Sequence, residues 1–209
     1  MLVPMKPIAV LVFAGTAGLM LTGSAAADPC EPSWESLGES GRLWFIYALT
    51  TWDSDGDGPE PASIIAGGSL PSELLPRTAV ARWTGEHWVS LGSGTQWGVE
   101  EVTTWDPDGN GPASALLIAA TNTDRVMAFD GAIWFPLGGV FEGTNAVLRA
   151  MTAWDPDGDG PESELLVIGG TFTSIDGTPI ANMAAWDGQA WSAVGVDPSP
   201  SIRALAVWD

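Results

Sequence analysis

Three aspartate-rich stretches carry the side chains of this sequence that could bind a metal ion. Each begins directly after a tryptophan, places acidic or amide side chains at positions 1, 3 and 5, and has glycine at position 6. Calcium takes six to eight oxygen ligands, and this alternation around a sharp turn directs oxygens toward one centre. The pattern predicts three calcium sites. Their residues are Asp53, Asp55 and Asp57, then Asp106, Asp108 and Asn110, then Asp155, Asp157 and Asp159.

A solvated acidic turn without a metal ion is the alternative. Asp, Gly and Pro favour turns by themselves, and position 12, a bidentate glutamate in an EF-hand, is Ile64, Leu117 or Leu166 here. Clustered carboxylates repel one another, however, and a plain turn does not require them. We therefore expect weak calcium binding, with Kd on the order of 0.1–1 mM as in extracellular modules.

The acidic stretches belong to a repeat with a period of about 50 residues. Tryptophan precedes each stretch, and a fourth copy begins at Trp208. A second aromatic follows downstream, and a third tryptophan comes five residues after it. Of the 12 tryptophans, only Trp44 and Trp97 lie outside these positions. An earlier copy of the third position is Trp34.

Each complete unit contains the pattern of four short strands. The second strand is an unbroken apolar run that ends on small residues, at 63–68, 115–120 and 165–170, which is typical of a strand buried on both faces. The third and fourth strands flank a tight turn such as WDGQAW, a strong hairpin signal. The connection 171–181 is expected to be a long loop. No window has sustained helical periodicity, so the pattern predicts an all-β chain.

The glycine pairs Gly67-Gly68 and Gly169-Gly170, followed by an aromatic residue and a late tryptophan, resemble kelch-type β-propeller repeats. LLVIGGTF and NMAAWDGQAWSAVG are similar to the kelch-like repeats of large exported bacterial proteins of the planctomycete type. Ala119-Ala120 replaces the glycines in the second unit. The resemblance implies an incomplete arc of about three four-stranded antiparallel blades with flanking strands. Propellers typically close with at least four blades, so we expect the chain to be part of a longer protein.

The repeat sets the expected boundaries along the chain. A secretory signal peptide is expected at 1–27, because Lys6 precedes an apolar run that ends near three alanines. The following segments are an N-terminal segment at 28–42 with a fourth-position strand at 34–38, blade 1 at 43–92, blade 2 at 93–138, blade 3 at 139–195, and the first strand of a further blade at 196–209. The chain is thus expected to be secreted or displayed at the cell surface, with no membrane span after cleavage.

Charge and the scarcity of reactive residues limit the function. The formal net charge of −19 argues against nucleic acid or an anionic membrane as partner. His87 is the only histidine and lies in a turn, and Cys30, the only cysteine, precedes the repeats with no role that the sequence reveals. We expect no catalytic residue, because a general base needs a positioned partner.

Two functions remain open on the sequence. Trp44 and Trp97 lie in connections between units, at the ends of the strands opposite the acidic stretches, where they could bind a glycan or a peptide. One function is therefore an exported, non-catalytic propeller that binds a protein or glycan, with acidic loops stabilised by calcium. The alternative is the propeller portion of a larger secreted enzyme whose catalytic part lies beyond the C-terminus.

Overall fold

The four strands predicted for each of the three complete units form an antiparallel sheet. The computed structural model describes residues 45–56, 58–69, 79–92, 95, 98–109, 114–158, 162–195 and 201–208, all within one compact unit. These residues contain strands and no helix, which confirms the all-β prediction. In chain order the strands are β1 (Phe45–Trp52), β2 (Ser63–Ser69), β3 (Val80–Trp83), β4 (Trp88–Ser90), β5 (Val99–Trp105), β6 (Leu116–Thr121), β7 (Arg125–Phe129), β8 (Trp134–Glu142), β9 (Val147–Trp154), β10 (Leu165–Thr171), β11 (Ser174–Ile175), β12 (Thr178–Pro179), β13 (Met183–Trp186) and β14 (Trp191–Ala193).

The strands form three sheets. Sheet I has the order β1-β2-β3-β4, sheet II the order β5-β6-β7-β8-β11-β12, and sheet III the order β9-β10-β13-β14. Neighbouring strands are antiparallel throughout. The second strand of each unit lies in the middle of its sheet, which explains its unbroken apolar sequence: both of its faces are covered. Among the described residues, no helix is long and apolar enough to cross a membrane.

The second and third aromatic positions of each unit meet across a hairpin. The ring centroids of Trp83 and Trp88 are 5.4 Å apart, those of Phe129 and Trp134 are 5.0 Å apart, and Trp186 and Trp191 repeat the arrangement at 5.1 Å. The intervening glycines have positive φ values of 94–98°, as the hairpin prediction requires. They are Gly85, Gly131 and Gly188.

Successive sheets pack face to face through two apolar cores. Strand β1 contacts β5, and β5 contacts β9, so the first strands of the three units are neighbours in order. The core between sheets I and II is formed by Ala48, Trp52, Ile65, Ala79, Val80, Leu91, Val99, Val102, Leu117, Ala119 and Phe129. The core between sheets II and III is formed by Trp105, Ile118, Ala120, Val126, Ala128, Leu137, Phe141, Leu148, Met151, Leu166, Ile168, Phe172, Ile175, Ile180, Ala184 and Trp186.

Small residues at the end of the second strand permit this packing. Gly67 faces the next sheet, where Val99 and Val102 would lie within 2.8 Å of an added Cβ atom. Gly68 lies against its own first strand, and an added Cβ would collide with the carbonyl oxygen of Phe45. Gly169 and Gly170 repeat both roles in sheet III.

The strand register corrects the alignment of the second unit. Ala120 pairs with Glu101 as Gly67 pairs with Ala48, and the next residue, Thr121, stands where Gly68 does. The residues that replace the glycines are therefore Ala120 and Thr121, and the expectation of Ala119-Ala120 was wrong by one position. The apolar run alone could not reveal the register, because it contains no residue that marks it.

The connection at 171–181 is partly a hairpin rather than a loop. Strands β11 and β12 extend sheet II, and β8 continues to Glu142, beyond the expected blade boundary at 138. The Glu142 carboxylate accepts hydrogen bonds from the Ser174 hydroxyl at 2.8 Å and the Gly177 amide at 2.9 Å. Strand β8 is extended because β11 offers it a backbone partner at this edge.

Residues 201–208 contain no strand, in contrast to the expected first strand of a further blade. The Ile202 amide donates a hydrogen bond to the Gly170 carbonyl at 3.0 Å, and the side chains of Ile202 and Leu205 lie against Gly169. A strand requires a ladder of backbone partners, and no described residue supplies one to this segment. The expected segments at 1–27 and 28–42 lie outside the described residues.

Candidate functional site

The acidic loops share one turn geometry. In each loop the first aspartate accepts a hydrogen bond at 3.2 Å from the backbone amide two residues later. The glycine at position 4 of each loop has positive φ, so the backbone turns at this residue. These glycines are Gly56, Gly109 and Gly158, with φ values of 62, 63 and 65°.

In the first and third loops, the carboxylate at position 3 also accepts a hydrogen bond from a backbone amide. One carboxylate oxygen of Asp55 accepts a hydrogen bond from the Glu60 amide at 3.2 Å, and Asp157 accepts one from Glu162 at the same distance. The other oxygen of Asp55 is buried and has no hydrogen-bond partner among the described residues. Hydrogen bonds within the turn explain part of the acidic sequence but leave this oxygen of Asp55 without a partner in the described part of the chain.

The structure brings together only part of each predicted calcium site. Positions 1 and 3 of all three loops are described, whereas Asp57, Asn110 and Asp159 at position 5 lie outside the described residues. Within the described part of the chain, no three acidic, histidine or cysteine residues are grouped closely enough to hold a metal ion. Calcium binding by these loops stays a prediction.

Tryptophan side chains join the acidic loops of successive units. Trp52 Nε1 donates a hydrogen bond to the Ala115 carbonyl at 2.7 Å, and Trp105 Nε1 donates one to the Glu164 carbonyl at 2.9 Å. Ala115 and Glu164 occupy the same place in their own units, so the bond repeats between sheets. The repeat in the sequence marks the positions of these tryptophans but gives no sign that they donate hydrogen bonds between sheets.

Glu164 adds a second link at the junction of sheets II and III. Its carboxylate accepts a hydrogen bond from the Asp106 backbone amide at 2.9 Å. Burial raises the pKa of Glu164, and the nearby charges of Asp106 and Asp155 raise it further. Burial also raises the pKa of Asp106, with Asp108 adding to the effect. Negative charge is therefore concentrated at this end of the sheets, which we call the acidic end.

The opposite end of the sheets carries one β-bulge in each first strand. The pairing register shifts between Ile46 and Ala48, between Val99 and Glu101, and opposite Gly169 and Gly170. The extra residues are Tyr47, Glu100 and Arg149. A bulge turns a side chain away from the regular pleat and is common beside binding sites. We call this the bulge end.

The bulge residues differ in chemistry although their backbone positions are equivalent. Tyr47 is aromatic, Glu100 is acidic and Arg149 is basic, while the scaffold around them repeats. Tyr47 and Arg149 are exposed and Glu100 is half-buried. Arg203 occupies the corresponding sequence position in residues 201–208 and is also exposed. Variable side chains on a constant scaffold are typical of a ligand-binding surface.

An exposed aromatic pair lies at the bulge end of β1. The rings of Phe45 and Tyr47 are stacked, with centroids 6.4 Å apart and planes 7° from parallel. Their exposed fractions are 61% and 52%. The predicted ligand-binding residues Trp44 and Trp97 lie outside the described residues. Sequence reasoning did not identify Phe45 and Tyr47 as a pair. The available signal was that Phe45 directly follows Trp44 in the sequence.

Glu101 follows the bulge of β5 and is half-buried. Burial raises the pKa of its carboxyl group from 4.5 to about 7, although a hydrogen bond from the Val102 backbone opposes the change. Periodicity did not identify this residue, because an acidic residue in a strand more often faces solvent. His87 is exposed in the β3–β4 turn, and its ring nitrogen Nδ1 lies 3.4 Å from the Thr84 hydroxyl.

Comparison with known proteins gives no match: no family model, no curated protein and no solved structure is similar to the chain. The acidic end and the bulge end are therefore the features from which a function can be proposed.

Proposed function

We propose that the chain is an exported, non-catalytic module that binds a protein or a glycan at its bulge end. The observation that carries the proposal is the set of three equivalent bulges with unlike side chains, Tyr47, Glu100 and Arg149. A change of residue at these positions alters the binding surface and leaves the ladder of the sheet intact. The stacked pair of Phe45 and Tyr47 is a flat apolar platform for the face of a sugar ring or for an apolar side chain.

The proposed architecture is an arc of a kelch-like β-propeller. It is supported by the order in which β1, β5 and β9 contact one another and by the tryptophan hydrogen bond that recurs between sheets. Propeller blades are meandering four-stranded sheets that pack face to face around an axis. Sheets I and III have this strand order, and sheet II has it with a hairpin added at its edge.

In the same proposal, the acidic loops bind calcium and stabilise the end opposite the ligand. The buried free oxygen of Asp55 supports this role in the first loop. The second loop has one carboxylate fewer and would bind most weakly. The ion offsets the repulsion among carboxylates and has no catalytic part.

Binding to a glycan array tests the proposal directly. The full chain is compared with the double variant Phe45→Ala and Tyr47→Ala and with Ile133→Ala. Ile133 is a matched control because it is 62% exposed and lies in a hairpin turn at the acidic end. We expect wild type and the control to bind the same saccharides, and the double variant to bind at least about ten-fold more weakly, a loss of about 1.4 kcal/mol. Equal binding by all three chains would exclude the aromatic pair as the site.

A further inference from the structure

A hollow of about 250 Å³ lies beside the last strand of sheet III. Its walls include Ile180, Met183, Ala193, Val194 and Gly195. Gly195 has a φ of 73°, and among the described residues only Met183 Cε comes within 4.0 Å of a Cβ atom built there. The surface is mostly apolar, and nothing in the described part of the chain fills it.

Tryptophans fill the equivalent places at the ends of β4 and β8. Trp134 of sheet II lies over Gly92 of sheet I, with Cδ1 3.3 Å from an added Cβ, and its Nε1 donates to the Leu91 carbonyl at 2.7 Å. Trp191 of sheet III lies in turn against Gly138 of sheet II, although its Nε1 has no hydrogen-bond partner among the described residues. Gly92 and Gly138 have positive φ values of 68 and 70°, close to that of Gly195.

Part of the outer face of sheet III is covered by residues 201–208, in the same way that sheet II covers sheet I. Ile202 and Leu205 lie against Gly169 as Val99 and Val102 lie against Gly67. Residues 201–208 therefore cover the place of a following first strand and leave the place of a following fourth strand open. The hollow continues an interface that occurs twice within the chain.

We propose that this hollow is a binding site for the indole of a tryptophan on the fourth strand of a further unit of this repeat. The indole N–H donates to the Val194 carbonyl, which corresponds to Leu91, and the ring lies over Gly195. Glycine is favoured at 195 because its φ is positive and because a Cβ would press against the ring, tightly as at Gly92 or with a clash as at Gly138. The site depends on the packing between sheets and not on the proposed ligand at the bulge end.

A cyclised hairpin peptide with the sequence of residues 182–195 tests the proposal, with 5-fluorotryptophan in place of Trp191. Its folding is first verified by NMR, and its fluorine signal is then followed on titration with the full chain. Gly195→Ala blocks the site. Gly85→Ala is the matched control, because Gly85 also has positive φ and has open space around it. We expect wild type and Gly85→Ala to bind the peptide, and Gly195→Ala to bind at least ten-fold more weakly.

Three results would overturn the proposal. The first is no binding at 1 mM peptide. The second is equal binding by Gly195→Ala in a chain whose circular dichroism matches wild type. The third is equal binding of 5-fluoroindole alone, which would make the occupant a small aromatic molecule. A dimer in sedimentation that Gly195→Ala abolishes would instead assign the site to a second copy of the chain and would also contradict a further unit as occupant.

Discussion

Folding partly removes the carboxyl group of Glu101 from water. The stability of the chain should therefore depend on pH. Its pKa is about 7 in the folded chain against 4.5 for the ordinary group. Below pH 4.5 the group is mostly neutral in the folded and the unfolded chain, so its burial does not lower the free energy of unfolding. Between pH 4.5 and 7 the unfolded chain ionises first, so the free energy of unfolding falls as pH rises.

We therefore expect Glu101→Gln to stabilise the chain at pH 8 and to have little effect at pH 4. The shift corresponds at most to about 3 kcal/mol, and partial exposure reduces this to about 1–2 kcal/mol because water screens the charge. Urea unfolding of both chains at the two pH values measures the difference. The pH 4 comparison is the control, and a variant that is no more stable at pH 8 would contradict the burial of a charged group.

The two glycines at the end of β2 should differ in their tolerance of a side chain. Gly67→Ala meets the side chains of Val99 and Val102, which can move, and it should destabilise by about 1–3 kcal/mol as overpacking does. Gly68→Ala meets the backbone oxygen of Phe45, which cannot move without breaking the bulge, and it should cost more. Urea unfolding midpoints rank the two variants. The reverse ranking would show that the first strand gives way more easily than the next sheet.

At the scale of strands, the sequence pattern predicted those features that depend on residues close together in the chain. The aromatic pairs five residues apart and the glycine turns between them were predictable, because hairpin pairing depends on a few adjacent residues. Strands β11 and β12 were not, since two-residue strands have no periodicity and form only against the edge of β8. The bulges at Tyr47, Glu100 and Arg149 also have no local signal, because the extra residue is defined only by its partner strand.

The acidic loops should add stability when calcium is present. A site with Kd near 0.1 mM contributes about 2.7 kcal/mol in roughly 10 mM calcium, enough to raise Tm by several degrees. Magnesium should do much less, because it requires tighter octahedral geometry. Thermal unfolding with calcium, magnesium or a chelator measures this effect.

The double variant Asp155→Asn and Asp157→Asn should lose part of the calcium response. Asp187→Asn is the matched control: its carboxylate also accepts backbone hydrogen bonds in a turn of sheet III, at 2.8 Å from Gln189 and 2.7 Å from Ala190. Identical melting temperatures of wild type in all three solutions would show that the loops are acidic turns only.

At the scale of the whole chain, the tryptophan hydrogen bonds join neighbouring sheets. The four predicted strands of one sheet form no backbone ladder with those of the next. Trp105→Phe keeps most of the ring and leaves the Glu164 carbonyl without its partner, so it should destabilise by about 1–3 kcal/mol. Trp154→Phe is the control, because Trp154 is 37% exposed, and it should cost less than about 0.5 kcal/mol. Equal losses in urea unfolding would contradict a specific role of the cross-sheet bond.

The separation of the acidic end from the bulge end gives the chain an electric polarity along its strands. The described aspartates of all three loops lie at one end, whereas Arg149 and Arg203 lie toward the other together with Glu100 and Glu101, and the formal net charge is −19. Such a distribution creates a field that orients an approaching partner before contact and weakens as salt is added. A basic partner is drawn first toward the loops. A partner with acidic groups is repelled least at the end where the tyrosine and the arginines face solvent.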